Sequence, residues 1–131
     1  MAESTMMKKQ RGLTRLVNAV VNSKRGLAQA YLSEAAFRQE VHAAVVLVLV
    51  ALVVNVSAVE RALLLASVFL VLIVEILNTA IEAAVDRIGY EIHELSGLAK
   101  DLGSAAVSLS LVLWFLVWVC ILGPLFIELY K

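Results

Sequence analysis

Cysteine, proline and glycine are scarce in this sequence. Its 131 residues include 1 cysteine, 1 proline and 6 glycines. Cys120 has no second cysteine with which to form an internal disulfide and lies in an apolar run, so we interpret it as a small buried hydrophobic residue. No proline or glycine occurs between residues 62 and 86, so one helix is expected to continue through that stretch.

Common nucleotide-binding and leader motifs are also missing. The sequence has no GxxxxGK[ST] phosphate loop, no GxGxxG motif after a strand, and neither the HRD nor the DFG sequence of protein kinases. Its first residues lead into polar sequence rather than into an apolar core with a cleavage site, so no signal peptide is expected. The formal net charge of +0 gives no indication of a partner, and we expect no nucleic acid to bind.

Apolar sequence is abundant instead. The chain is 62% hydrophobic with a mean hydropathy of +0.91, whereas soluble domains are roughly 45–50% apolar. Apolar runs at residues 41–59, 62–81 and 104–127 are close to the ~20 residues that a membrane-spanning helix needs. The sequence therefore predicts an all-α integral membrane protein, with three transmembrane helices in one domain at residues 41–131 and no separate soluble domain.

The segment before the first span is more polar. Residues 1–12 form a short basic tail that we predict to be disordered. Residues 13–31 place apolar side chains on one face of a helix and polar side chains on the opposite face. Residues 33–42 form a second polar helical segment. We interpret residues 13–40 as an amphipathic helix in the membrane interface, the alternative being a helix packed on a soluble partner.

The distribution of positive charge predicts the orientation of the chain. Most Lys and Arg residues precede the first span, and Arg87 and Lys100 flank a polar connection predicted at residues 90–103, after a helix stop near Gly89. The other predicted connection, Glu60 and Arg61, is very short. The positive-inside rule therefore places the N-terminus and residues 90–103 in the cytoplasm.

Four polar residues follow one helical face at the end of the second span. Glu75, Asn78, Glu82 and Asp86 are separated by three, four and four residues, so they share one face. A charge within a bilayer costs roughly 2.5–3.5 kcal/mol on insertion scales, so this stripe is predicted to be functional. The alternative is a buried polar seam that only holds helices together. Because three spans offer little cover, we expect the stripe to face a neighbouring subunit in a homo-oligomer.

The stripe is suited to a cation with phosphate. Glu82 and Asp86 repel each other unless a cation lies nearby, and Mg²⁺ takes oxygen ligands together with water and phosphate oxygens. Spacing alone favours an ion pair of Glu34 with Arg38, and it favours a solvated pair of Lys100 with Asp101. The lone His93 makes a zinc site improbable. Basic residues that could meet a phosphate are Arg15, Lys24, Arg25 and Lys100.

Two segments resemble a known family. The run EILNTAIEAAVDRIGYEIHELSGLAKDLGSAAV at residues 75–107 and the segment SEAAFRQE at residues 33–40 are similar to the bacterial integral-membrane diacylglycerol kinases. The likeness covers about residues 14–120. It implies a homotrimer with shared active sites in the bacterial inner membrane. It also implies Mg²⁺-dependent transfer of phosphate from ATP to diacylglycerol, which yields phosphatidic acid.

The resemblance also implies roles for individual residues. Glu75 is the expected catalytic base, Asn78 orients groups around it, and Glu34 and Glu82 are the expected metal ligands, which replaces the ion-pair interpretation of Glu34. The residues expected to bind the nucleotide with its metal are Arg15, Asn22, Glu34, Glu82, Glu91, Ile92, His93, Lys100 and Asp101. Those expected at the lipid substrate are Arg15, Glu75 and Ser104. Asp86 and Arg87 are assigned to helix-end structure as readily as to chemistry.

The sequence departs from the family in its surface helix, and other functions stay open. Asn22 and Lys24 stand where some members carry aromatic residues, and Ala28 stands where some carry Arg. The alternative functions are a kinase for another lipid alcohol such as undecaprenol, a small proton-conducting or transport protein, and a structural assembly protein. The last two predict no turnover of ATP.

Overall fold

The computed structural model describes residues 12–88 and 93–129, which form four α-helices. Helix α1 is Leu13–Ser33, α2 is Ala35–Val53, α3 is Ala58–Ile88 and α4 is Glu94–Leu129. Three of them, α2 to α4, are long and apolar enough to cross a membrane. This confirms the predicted all-helical membrane fold with three spans. The predicted tail at residues 1–11 lies outside the described residues.

Helices α1 and α2 meet at Glu34. This residue is extended, with φ −102° and ψ 115°, although its N–H still donates to the carbonyl of Ala30 over 2.9 Å. The Arg38 guanidinium donates to the carbonyls of Tyr31 (3.1 Å) and Leu32 (3.4 Å). These bonds satisfy carbonyls that the end of α1 leaves without helical partners. The junction is therefore a fixed corner, and α2 continues without a break through residue 40, where the interfacial segment was predicted to end.

The connection between α2 and α3 lies earlier than predicted. The first span was expected to reach residue 59 with Glu60 and Arg61 as the connection, but α2 ends at Val53 and both residues belong to the first turn of α3. Ser57 is the reason. Its N–H donates to the Glu60 carboxylate (2.8 Å) and its hydroxyl accepts from the Glu60 N–H (3.3 Å), which is a reciprocal cap that starts a helix.

Arg61 closes the same turn from the other side. Its guanidinium donates to the carbonyls of Ala51 (2.6 Å), Leu52 (2.6 Å) and Val54 (3.1 Å). The carbonyls of Ala51 and Leu52 lie in the last turn of α2, where the helix supplies no donors for them. One side chain therefore fixes the angle at which α2 and α3 pack.

The core lies between α2, α3 and α4. Small residues of α2, Ala44 and Ala51, are buried against Leu64 and Val68 of α3 and Trp118 of α4. Such small residues allow membrane helices to approach closely. The Trp118 Nε1–H donates to the Ser67 hydroxyl over 3.2 Å, and that hydroxyl donates to the carbonyl of Leu64 over 2.8 Å. These two bonds pair the polar side-chain atoms of Trp118 and Ser67.

The interpretation of Cys120 as a buried residue is wrong. Its side chain is exposed on α4. Residues two positions apart on a helix are separated by about 200° around its axis. A helix that turns Trp118 inward therefore turns Cys120 outward. Large apolar side chains are exposed on all four helices, including Leu16, Val46, Phe69 and Phe115. On α2, α3 and α4 that surface suits contact with acyl chains.

Helix α3 is described as far as Ile88. The predicted stop at Gly89 and residues 90–92 lie outside the described residues. The remainder of the predicted polar connection, from Glu94 onward, is the first part of α4. Helix α4 therefore carries Lys100, Asp101 and Gly103 on regular helical positions.

Replacing Arg61 with Met should lower the thermal stability of the protein in detergent. The change removes the donor of the Ala51 and Leu52 carbonyls, whereas the Val54 carbonyl still accepts from the N–H of Val56. Leaving a buried carbonyl unpaired costs about 1–3 kcal/mol. We expect the Tm, followed by tryptophan fluorescence, to fall by several degrees. The Tm of Arg61→Lys, which keeps one donor group, should lie between those of the wild type and Arg61→Met. Equal Tm values for the wild type and Arg61→Met would contradict this role.

Candidate functional site

The polar stripe of α3 runs from the interior of the helix bundle to its surface. Glu75 is buried, with 7% of its surface exposed, whereas Asp86 is exposed. Asn78 and Glu82 are half-buried between them, and the Asn78 Nδ2 donates to Glu82 Oε1 over 3.1 Å. The predicted stripe thus leads from a buried carboxylate to the surface, with a hydrogen bond between Asn78 and Glu82 in its middle.

Glu75 is covered by helices of its own chain. Glu40 of α2 is within electrostatic range of it, and so are Glu34 and Glu82. Within the described residues the Glu75 carboxylate has no hydrogen-bond partner and no ion-pair partner. The expectation that the stripe faces a neighbouring subunit stays a prediction, and the chain's own helices already cover most of Glu75. Several carboxylates thus lie near Glu75 without a counter-charge in the described part of the chain. This is unusual, because like charges in a poorly solvated site repel strongly.

A groove of about 530 Å³ separates the second half of α1 from the second half of α3. Its walls carry the carboxylates of Glu34, Glu82 and Asp86 among small side chains such as Gly26 and Ala83. Glu34 stands at the corner before α2, so the break in the helix turns it toward the stripe. Two separate elements thus deliver acidic groups to one open groove.

This groove has the donors that a magnesium ion requires. Glu34 and Glu82 offer hard carboxylate oxygens from opposite walls. No group of three or more metal-ligating side chains occurs within residues 12–88 and 93–129. Such a set still suits Mg²⁺, because this ion usually takes one or two carboxylates and completes its shell with water and phosphate oxygens. The ion pair of Glu34 with Arg38 considered above does not form, since Arg38 binds carbonyls of α1.

Lys100, in the first turns of α4, contacts the stripe. Its ammonium group bonds to the Asp86 carboxylate over 2.5 Å and interacts electrostatically with Glu82. The interpretation of Lys100 and Asp101 as a pair is therefore wrong, since consecutive residues point in different directions around a helix. Asp101 is exposed. A positive charge is thus held beside Asp86 at the surface end of the stripe.

The remaining predicted residues are not gathered at the groove. Arg15 and Asn22 are exposed in the first half of α1, and Ser104 is exposed on α4. The Nδ1 of His93 accepts from the N–H of Leu95 over 3.2 Å, so its ring caps the start of α4. Glu91 and Ile92 lie outside the described residues. The roles of these residues stay predictions.

Sequence reasoning missed two residues beside the stripe. Glu40 contributes to the lining of a largely apolar cavity of about 140 Å³, and one of its buried oxygens has no hydrogen-bond partner. Its signal was present, because a carboxylate directly before a span is unusual. Gly103 of α4 packs against Asn78. No spacing rule links residues 78 and 103, since their proximity depends on the angle between two helices.

Comparisons with known proteins extend over most of the chain. The profile of the family described as prokaryotic diacylglycerol kinase matches residues 21–122. The diacylglycerol kinase of Escherichia coli (strain K12) is 54% identical over 111 residues, which are 85% of this chain and 90% of that enzyme. The diacylglycerol kinase of Pseudomonas aeruginosa is 50% identical over 115 residues, 88% of this chain and 94% of the relative. That of Helicobacter pylori (strain 26695) is 39% identical over 118 residues, 90% of this chain and 92% of the relative.

Neutralising Glu75 should not destabilise the fold. Gln has nearly the shape of Glu, and the substitution removes a buried charge that has only other carboxylates near it. We expect the Tm of Glu75→Gln in detergent to equal or exceed that of the wild type. A polar seam that only holds helices together predicts the opposite, a clear fall in Tm. Asp86→Asn, which loses the bond to Lys100 at an exposed position, serves as the control for loss of a carboxylate.

Proposed function

This chain belongs to the prokaryotic diacylglycerol kinase family, and we propose that it transfers the γ-phosphate of ATP to the free hydroxyl of 1,2-diacylglycerol. The products are phosphatidic acid and ADP. The observation that carries this proposal is the position of Glu75, a buried carboxylate on the same helical face as Glu82, which lines a groove together with Glu34. A base below a metal-binding groove is the arrangement that phosphorylation of a lipid alcohol requires.

Glu75 is the proposed general base. It takes the proton of the diacylglycerol hydroxyl while the hydroxyl oxygen forms a bond to the γ-phosphorus, and the bond between that phosphorus and the β–γ bridging oxygen breaks. The lipid hydroxyl lies at the membrane interface, so its base must lie just below the interface. Glu75 meets this requirement because the stripe leads from it to the exposed Asp86.

Glu34 and Glu82 are the proposed ligands of the metal that accompanies ATP. A bound Mg²⁺ would neutralise charge on the β- and γ-phosphate oxygens. Asn78 supports this role, because its amide holds one oxygen of Glu82 and leaves the other free for the groove. Lys100, which is restrained by Asp86, supplies a positive charge beside the groove for a phosphate. The resemblance adds Arg15, Asn22, Glu91, Ile92, His93 and Asp101 at the nucleotide, and Arg15 and Ser104 at the lipid.

The proposed location is the bacterial inner membrane, with the N-terminus and the groove on the cytoplasmic side. Two features support it. Lys and Arg residues concentrate before the first span and near residues 87–100. Apolar side chains of α1, including Leu13, Leu16 and Val20, are exposed along a helix too polar to span, which suits a helix that lies in the interface. We also propose the homotrimer with shared active sites that the resemblance implies.

Glu75→Gln and Glu82→Gln should each abolish nearly all transfer of labelled phosphate from MgATP to diacylglycerol in detergent micelles. Loss of a general base lowers the rate by roughly 10²–10⁴-fold. Glu128→Gln, an exposed carboxylate near the end of α4, should keep the wild-type rate. A wild-type rate in Glu75→Gln would remove this residue from the mechanism. Absence of turnover in the wild type would instead favour a transport or assembly protein.

Competition between lipid alcohols tests the choice of substrate. When 1,2-diacylglycerol and undecaprenol are supplied together at equal concentration, we expect the labelled product to be almost entirely phosphatidic acid. The names of the relatives support this choice. Predominant labelling of undecaprenol would assign the same chemistry to the other lipid.

A further inference from the structure

Gly103 is buried where α4 crosses the polar stripe. A Cβ atom added at this position would overlap the side-chain oxygen of Asn78, and it would lie 3.3 Å from the Asn78 Cγ and 3.9 Å from its Cα. The two helices therefore approach so closely at this point that only a residue without a side chain leaves room for the Asn78 amide. Helices in membranes use small residues for such approaches.

The Asn78 amide is held at its other end by Glu82. The Nδ2 donates to Glu82 Oε1 over 3.1 Å, whereas the Oδ1 is buried and has no hydrogen-bond partner. A flipped amide would place Oδ1 against the carboxylate of Glu82, which is repulsive, so the assignment of the two amide atoms follows from the chemistry. With its oxygen unpaired, the amide is held by its bond to Glu82 and occupies the space that Gly103 leaves.

The other glycines of α4 show that the position matters more than the residue type. A Cβ at Gly97 or at Gly123 would meet no atom within 4 Å. Glycine within a helix is less favourable than alanine, so these two positions gain nothing from glycine in the packing of this chain. Gly103 differs because its missing side chain is the space that Asn78 occupies.

We propose that Gly103 is a positioning residue that acts through Asn78 to hold the Glu82 carboxylate in the orientation in which it binds the metal with the nucleotide. This inference rests on the proposed function of Glu82. A methyl group at residue 103 displaces the Asn78 amide, which breaks its bond to Glu82. The Glu82 side chain then adopts several orientations in the groove, and the affinity of the protein for the metal falls.

The test compares Gly103→Ala with Gly97→Ala and Gly123→Ala, the matched substitutions in the same helix. Binding of Mn²⁺ in the presence of ATP is followed by the loss of the free Mn²⁺ signal in electron paramagnetic resonance, and turnover is measured against Mg²⁺ concentration. We expect the half-saturating metal concentration to rise about tenfold in Gly103→Ala, while both controls match the wild type. Equal metal binding in all four proteins would overturn the proposal.

A double-mutant cycle separates positioning through Asn78 from an independent effect. In an Asn78→Ala background the added methyl has room, so Gly103→Ala should change metal binding less than twofold there. If the effects of the two substitutions on metal binding multiply in the double variant, the proposal is contradicted. If Gly103→Ala alone fails to fold, Asn78→Ala must itself show the raised metal requirement, and wild-type binding in it would overturn the proposal.

The outcomes also distinguish this inference from the function on which it rests. A wild-type protein that transfers no phosphate to diacylglycerol would refute the proposed function. An active wild type with unchanged metal binding in Gly103→Ala would refute the positioning role alone.

Discussion

The rest of the structure depends on one constraint, which is the burial of the Glu75 carboxylate within a membrane-spanning helix. An ionisable group in such a place loses its hydration and must be surrounded by protein or by bound ligands. The chain meets this requirement with its own helices, since Glu75 is 7% exposed. It provides no counter-charge to the group within the described residues. A carboxylate that is covered but not neutralised fits the proposed role of a general base.

The elements around Glu75 give the protein an open polar surface at one end and a closely packed turn at the other. The corner at Glu34 lets α1 leave the bundle and opens a groove along α3, while Arg38 fixes the corner by binding carbonyls of α1. Because Arg38 is engaged there, it does not pair with Glu34, which fits the proposed role of Glu34 as a metal ligand. At the opposite end of α3, the cap of Ser57 and the guanidinium of Arg61 hold the turn. Rigid packing at one end thus supports an open polar surface at the other.

Much of this arrangement could be predicted from the sequence, and the remainder depends on helix geometry. The stripe from Glu75 to Asp86 follows from helical periodicity alone, and the number of spans follows from apolar length. The end of α2 was misplaced because Val54 and Val56 are as apolar as a span, and only the hydrogen bonds of Ser57 and Arg61 show where the chain turns. The bond of Lys100 to Asp86 and the contact of Gly103 with Asn78 could not be predicted, because both depend on how closely α4 crosses α3.

The most direct measurement is an experimental structure of the protein in lipid with Mn²⁺ and a non-hydrolysable analogue of ATP. The anomalous scattering of Mn²⁺ locates the metal without reference to any assumed mechanism. We predict a peak bound by the carboxylates of Glu34 and Glu82, with the terminal phosphate of the analogue directed toward Glu75. A metal bound elsewhere, with Glu34 and Glu82 both free, would contradict the account.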